Sequence, residues 1–396
     1  MNANKYLLIQ QGYSISYCET ECFENGKPIN KPTEDKRSSK EIAEELQIKF
    51  YNIFLKKHFK HIVILSAAGT SLDNGDNKGK TRDGLWEHCK DEIQEIFELC
   101  PQIKEKGFEA NKDIEGLLTA IILYEKVNKS ILDKDDKSIK EKIEKKIAES
   151  CALKLDKNKA PHIDFLNKIT ARKPSDPRVQ VFTTNYDTLF EQAANEAGFV
   201  IIDGFSFTQP RKFSGRYFDF DIVNREKTRL KQEESFVSKV FHLYKLHGSL
   251  NWEKDSGVIT QKSKTDNPLI IYPASEKYES SYEQPYFEMM SRFQQALRKE
   301  NTLLIVVGFG FQDKHIQNAI IEAVEQNPSF QLVIVNYNGS GGIETKPFSQ
   351  FFNELESYEI KRNVSIVFDT FSSFTKKFPS NQTYFEPIKG LSDESI

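Results

Sequence analysis

Three short segments bring together side chains that could do chemistry on a nucleotide. Thr183-Thr184-Asn185-Tyr186-Asp187 offers hydroxyls, an amide and a carboxylate, and Leu246-His247-Gly248-Ser249 offers an imidazole beside a glycine. Upstream lies a turn of small residues, Ala67-Ala68-Gly69-Thr70-Ser71. An Asn amide both donates and accepts, so Asn185 suits the holding of a ribose hydroxyl or an attacking water. An imidazole of ordinary pKa, about 6.5, accepts a proton at neutral pH, so His247 suits a base. Asp187 could hold a carboxamide or tether the Asn185 loop. The small turn would let a diphosphate reach backbone N–H groups and the hydroxyls of Thr70 and Ser71. Plainer readings stand beside these. Asn185 or Asp187 could cap the following helix, His247 could be a buried histidine bonded to a carbonyl, and the turn could simply join a strand to a helix.

Each segment follows a short apolar run of strand character: residues 61–66, 179–182 and 240–246. Two further runs, 303–308 and 331–336, end in Gly308 and Asn336. Strands separated by helical patterns predict an α/β fold with a Rossmann-like parallel sheet, whose ligands bind at the carboxyl ends of the strands. Residues 38–84 and 160–345 form that core. An inserted helical subdomain spans 85–159, where it could cover the cleft. Residues 1–37 read as a β arm, with strands near 6–10 and 13–18 and a hairpin turn at Asn25-Gly26, serving as an extra sheet edge or an oligomer contact. A helix follows, with Ser39 as its cap and Ile42, Leu46, Phe50 and Phe54 as its apolar stripe. The polar, glycine-rich stretch 73–79 reads as a mobile loop. A helix over 187–197 ends at Gly198. Residues 205–238 and 253–283 read as loops or hairpins near the site. Helices are expected over 284–299 and 311–325, a flexible turn over 339–342, and a C-terminal extension over 346–396 with one strand at 364–368.

The composition is that of an ordinary globular chain. Its 396 residues carry 55 basic and 58 acidic side chains, net −3, so no global field holds nucleic acid. The basic, aromatic stretch 211–231 is diluted by acids and reads as a solvated loop rather than a nucleic-acid surface. No stretch approaches the ~18 apolar residues of a spanning helix, and no signal peptide is evident. Five scattered cysteines suit reduced thiols in a cytoplasm. Only Cys18 and Cys22 are close. Zinc sites commonly need two such pairs, so no zinc is expected, and these two read as strand residues on one face. His242 and His315 read as structural or surface residues.

The order of the three segments resembles the sirtuin superfamily, and within it the bacterial sirtuin-like branch whose members destroy NAD in defence against phage. That family's phosphate turn is Gly-Ala-Gly-x-Ser, matched by Ala67-Ala68-Gly69-Thr70-Ser71 except at the first glycine. Its Thr-x-Asn-x-Asp is matched by Thr183, Asn185 and Asp187, and its His-Gly by His247-Gly248. The resemblance implies that NAD is the substrate, cleaved at the nicotinamide–ribose bond to nicotinamide and ADP-ribose, with Asn185, His247 and Asp187 catalytic. Ala67, Ala68, Gly69, Thr70, Ser71, Thr183 and Gly248 would hold the dinucleotide, with Gly308 and Asn336 along its adenosine half. Phe309 and Phe311 read as core, although one could cover the adenine. The resemblance also implies a homo-oligomer working with a separate partner, such as a HerA-type hexameric ATPase or a short Argonaute. An NAD-dependent protein deacylase, or a non-catalytic sensor of NAD or ADP-ribose, are the alternatives.

Overall fold

Alternation of buried apolar side chains between two faces builds a single large sheet. The computed structural model describes residues 4–32, 34–132, 137–173, 175–224, 236–265, 267–270, 284–337, 350–351, 353 and 363–381. In chain order the strands are β1 (Lys5–Gln10), β2 (Tyr13–Tyr17), β3 (Cys22–Glu24), β4 (Lys27–Pro28), β5 (His61–Ser66), β6 (Gln180–Thr183), β7 (Val200–Ile202), β8 (Arg211–Lys212), β9 (Val240–Lys245), β10 (Trp252–Asp255), β11 (Val258–Gln261), β12 (Thr302–Val307), β13 (Gln331–Asn336) and β14 (Val364–Phe368). Eleven of them form one sheet in the order β4-β3-β2-β1-β14-β13-β12-β5-β6-β9-β7, and β10, β11 and β8 form a small separate sheet. From β14 to β7 every pairing is parallel. Parallel strands are covered on both faces and so read as continuous apolar runs; all six residues of β12 are buried. Leu303, Ile305 and Val307 pack into one core, Leu304 and Val306 into the other.

The strand order fixes where a ligand can sit. From β5 the chain moves to one side through β6, β7 and β9. It then returns to β12 on the opposite flank of β5 and continues outward to β13 and β14. This is the doubly wound arrangement, and its crevice opens at the carboxyl ends of β5 and β12, where the connections diverge. Both strands there are fully embedded, so the rim of the crevice stands on a rigid base.

The N-terminal arm extends the chain's own sheet. β1 lies antiparallel to β14, so the sheet is parallel only from β14 onward. Asn25 and Gly26 have φ of 54° and 72°, as the Asn-Gly hairpin requires. Cys18 and Cys22 do not share a strand: Cys18 lies in the turn after β2 and Cys22 opens β3 opposite Tyr17. A tight turn between them breaks the alternation that a single strand would have kept. The helix Ser39–Phe54 is capped by Ser38, not Ser39, through a reciprocal capping box with Glu41. Ser39 is instead spent on the carbonyl of Cys18. The fully buried face of that helix runs through Ala43, Gln47, Tyr51 and Phe54, so the apolar stripe lies about one residue off the expected one.

Between β5 and β6 stand, among others, the helices Arg82–His88, Lys90–Leu99, Pro101–Lys104, Ile114–Val127 and Ile139–Cys151. They share a core of their own that includes Trp86, Ile96, Leu117, Ile121 and Ile143. The helix read from residue 311 starts at Lys314, because the carboxylate of Asp313 takes the N-cap. The turn read at 339–342 lies outside the described residues, as do 225–235, 271–283 and 382–396. Among the described residues, no helix is long and apolar enough to cross a membrane. None of their His, Cys, Asp and Glu side chains form a group of three or more that could hold a metal ion.

Candidate functional site

A single row of paired residues crosses the sheet at its carboxyl edge: Val307 beside Ser66, Ser66 beside Thr183, Thr183 beside Lys245. Asn185 and His247 each lie two residues past this row, on adjacent strands. The loops that carry them are stitched together: Leu246 N–H donates to Thr183 O (2.8 Å), Thr184 N–H to Ser66 O (3.0 Å) and Leu250 N–H to Tyr186 O (3.1 Å). Thr183 holds its own loop by accepting from Asn185 N–H at its hydroxyl (3.1 Å).

Asn185 is almost fully buried and its amide is oriented by three oxygens. Its Nδ2 lies 3.1 Å from Ala67 O, 3.1 Å from Thr70 Oγ1 and 2.8 Å from Ser71 Oγ. All three acceptors belong to the turn after β5. With the nitrogen committed, Oδ1 is the free end of the side chain, and no described residue donates to it. Ser71 in turn donates to Asp187 Oδ2 (2.5 Å), while Asp187 Oδ1 accepts from Leu189 N–H (3.0 Å) at the start of the helix Leu189–Ala197. One oxygen of Asp187 thus ties its loop to the turn after β5, while the other closes a two-residue turn onto the first amide of the helix; the N-cap position itself is Thr188, whose side chain makes no capping bond.

The two glycines of the turns have a backbone reason. A Cβ on Gly69 would sit 2.4 Å from Gly308 Cα, and one on Gly308 would sit 2.6 Å from Gly69 Cα. Gly69 N–H donates to Gly308 O (3.0 Å). Only glycine lets the β5 and β12 turns touch at the floor of the crevice. Gly308 also has φ of +69°, and Gly248 has +83°. Asn336 ends β13 further along the same rim. Its buried Nδ2 has no hydrogen-bond partner among the described residues.

His247 is paired with a residue that the sequence did not flag. Its Nε2 lies 3.1 Å from Asp313 Oδ2, and Asp313 Oδ1 accepts from His315 and Ile316 N–H as the helix cap. Burial acts to raise the Asp313 carboxyl. The hydrogen bond and charge of His247, with the Ile316 amide, outweigh it and hold the group below the usual carboxylate range. An ionised carboxylate only accepts, so Nε2 carries the proton and Nδ1 is left as the basic nitrogen. The turn that delivers Asp313 contains Phe311 at φ +54°. For a bulky residue that left-handed conformation costs on the order of 1–3 kcal/mol. An Asp just ahead of a helical pattern is an N-cap signal; starting the helix at Phe311 hid it.

Two more polar devices escaped the sequence. Lys245, 2% exposed, ends β9, donates to the carbonyl of Asp187 and pairs with Glu191 at 3.1 Å. Burial lifts the Glu191 carboxyl against the pull of that ammonium. Asn74, completely buried, donates to Asn77 O (2.8 Å) and Lys154 O (2.9 Å) and accepts from Asp156 N–H (3.0 Å). The stretch 73–79, expected as a mobile loop, is thus pinned to the chain just after the helix Ile139–Cys151. Buried amides can hold a polar loop as firmly as an apolar core, and composition does not reveal it. His242, as expected, is not part of the site. Its ring meets Tyr244 (3.1 Å), and burial pushes its imidazole down to about 4.

Residues 179–360 match the SIR2-like domain. The stretch that carries Asn185, His247 and Asp313 is thus similar to the sirtuin-like superfamily, whose SIR2-like domains bind and use NAD. The match starts one residue before β6, so the 67–71 turn lies outside it. Comparison with curated proteins gave no match.

Proposed function

We propose that this protein hydrolyses NAD at the nicotinamide–ribose bond and serves as the NAD-depleting effector of an antiviral defence system. The observation that carries the reading is the convergence of Asn185 and the His247–Asp313 pair on the switch-point crevice of a sirtuin-like region. The crevice rim offers an acceptor, Asn185 Oδ1, and a buried donor, Asn336 Nδ2, which has no partner among the described residues. Both fit the hydroxyls of a dinucleotide.

Nicotinamide leaves as a neutral base, taking the electron pair of the glycosidic bond, and the ribose passes through a cation-like state. Asn185, its amide fixed by Ala67, Thr70 and Ser71, presents Oδ1 to a ribose hydroxyl or to the incoming water. His247 takes the water's proton at Nδ1 as the new C–O bond forms, while Asp313 stabilises the resulting imidazolium. The sum is NAD plus water to nicotinamide, ADP-ribose and a proton. Asp187 acts through Ser71 rather than on the substrate. A hydrolase of this kind must be silent at rest, and a homo-oligomer with a separate partner, a HerA-type hexameric ATPase or a short Argonaute, is the proposed means.

The test is nicotinamide release from NAD by the full chain, alone and with the product of the neighbouring gene. Nicotinamide and ADP-ribose in equal amounts are expected. Release only with an acylated peptide would establish a deacylase, and NAD binding without loss in every assembly state would establish a sensor.

A further inference from the structure

We propose that Phe351, from the C-terminal segment, is a positioning residue for the His247–Asp313 pair; this rests on the catalytic reading of that pair given above. The two residues of the pair meet across 3.1 Å. Capping fixes the Asp313 carboxylate relative to its own helix. Its placement toward His247 is set by the turn that precedes it, and the centre of that turn is Phe311, two residues upstream, with φ of +54°.

Phe311 is gripped at both ends. Its ring, 1% exposed, stacks on the wholly buried ring of Phe351 with centroids 4.2 Å apart and planes at 29°, and meets Phe309 at 5.0 Å. Its carbonyl accepts from the side-chain amide of Gln317, which is 2% exposed. Rotation of Phe311 to the ordinary right-handed region would pull the ring from this stack and break the Gln317 bond. The same rotation would swing the chain beyond it and carry Asp313 away from His247. An unfavourable backbone conformation persists only where its surroundings over-determine it, and the Phe351 ring is one such constraint from outside the turn. Phe351 thereby acts on the reacting centre through Phe311.

The experiment compares Phe351→Ala, Phe351→Leu and Phe311→Gly in the full chain, with Phe311→Gly combined with Phe351→Ala. The first readout does not need activity. In protein labelled with ¹⁵N at histidine, with His247 assigned by His247→Gln, the wild type should show the Nε2–H tautomer. Phe351→Ala should move it toward a mixture, and Phe351→Leu, which keeps most of the volume, should move it less. Phe311→Gly occupies the left-handed region without strain, so it should retain the wild-type tautomer and make Phe351→Ala nearly silent. The second readout is nicotinamide release, where Phe351→Ala should lower kcat about ten-fold, as for a disturbed acid–base group, with KM for NAD unchanged. A folded Phe351→Ala protein with the wild-type tautomer and kcat, and only a lower Tm, would reduce Phe351 to core packing and overturn the proposal; if that variant does not fold, Phe351→Leu is read in the same way. A tautomer shift without loss of turnover would retain the positioning role and remove the pair from the reaction.

Discussion

Asn185 and His247 stand at equivalent places, each two residues past a paired row on neighbouring strands, yet the chain secures them by opposite means. Asn185 is held by a dense set of short polar bonds from small residues, Ala67, Thr70 and Ser71, all within one turn. Among the described residues, His247 is held by one carboxylate, delivered from a turn whose central residue is strained and aromatic. The first arrangement spreads its energy over several bonds, so losing one leaves the others. The second concentrates it in one contact that depends on backbone conformation. Redundant polar bonds suit a group that must keep one orientation. A single charged contact suits a group that must change charge during the reaction.

The largest effects should come from the two centres themselves. Asn185→Ala and His247→Ala should each lower nicotinamide release by on the order of 10²-fold or more. NAD binding, measured by calorimetry, should persist, because each variant removes a single polar group from the crevice. Near-wild-type turnover in either variant would remove that residue from the mechanism.

A smaller effect should separate the two modes of support. Asn is as good a helix cap as Asp, so Asp313→Asn keeps the cap while removing the charge that faces His247; turnover should fall about ten-fold with little change in Tm. Asp313→Ala should lose the same turnover and about 1 kcal/mol of stability in addition. On the Asn185 side, Ser71→Ala removes one of the three bonds to Nδ2 together with the Ser71–Asp187 bond, and with Ala67 and Thr70 still in place it should cost only a few-fold. If Ser71→Ala proved as damaging as Asp313→Asn, the contrast between shared and single support would be wrong. Chemical denaturation alongside steady-state rates measures both quantities.

The last prediction separates the acid sensitivity of the fold from that of the site. His162 is buried edge-on between Phe190 and Phe371, and burial pushes its imidazole down to about 3. Burial, aided by nearby Lys299, Lys60 and Arg172, takes His61 to about 4, and His242 is comparable. A native pKa below the unfolded value of about 6.5 leaves stability unaffected above that pH. Below it the unfolded chain binds a proton that the native chain refuses. For His162 the loss should approach about 1.4 kcal/mol per pH unit down to its native pKa. Denaturation midpoints should therefore fall from pH 6.5 to 4, and His162→Phe should flatten the curve. An unchanged slope would mean that this ring contributes nothing and would leave His61 and His242 as the source of the acid sensitivity.

How much of this was legible in the sequence follows from the range of each interaction. β13 and β14 span 331–336 and 364–368, the bounds that their apolar patterns predict. Asn185 and His247 stand directly after such runs, so the strands announce them. Asp313 was masked because Phe311, Gln312 and Asp313 continue an apparently helical pattern, and only the left-handed φ of Phe311 breaks it. Gly69 is explained by Gly308, a partner distant in sequence. The same holds for Asn74 with Lys154 and Asp156, and for Lys245 with Glu191: ordinary polar residues that become structural only through long-range partners. The choice of Ser38 over Ser39 as cap was settled by a contact to Cys18, which local propensity does not encode.

The antiparallel arm has a consequence for solubility. β1 covers the hydrogen-bonding edge of β14, and the outermost strand of the arm is two residues long and closes on Lys27-Pro28. A lysine and a proline at a sheet margin discourage a further strand from adding. Trimming residues 1–30 would leave the whole backbone edge of β14 bare, with Val364, Ile366 and Val367 alongside it. A chain shortened in this way should self-associate through that margin and precipitate rather than emerge as a liberated enzyme. The arm thus behaves as a covalently attached protecting group, one that lets a large sheet exist in water without recruiting its neighbours.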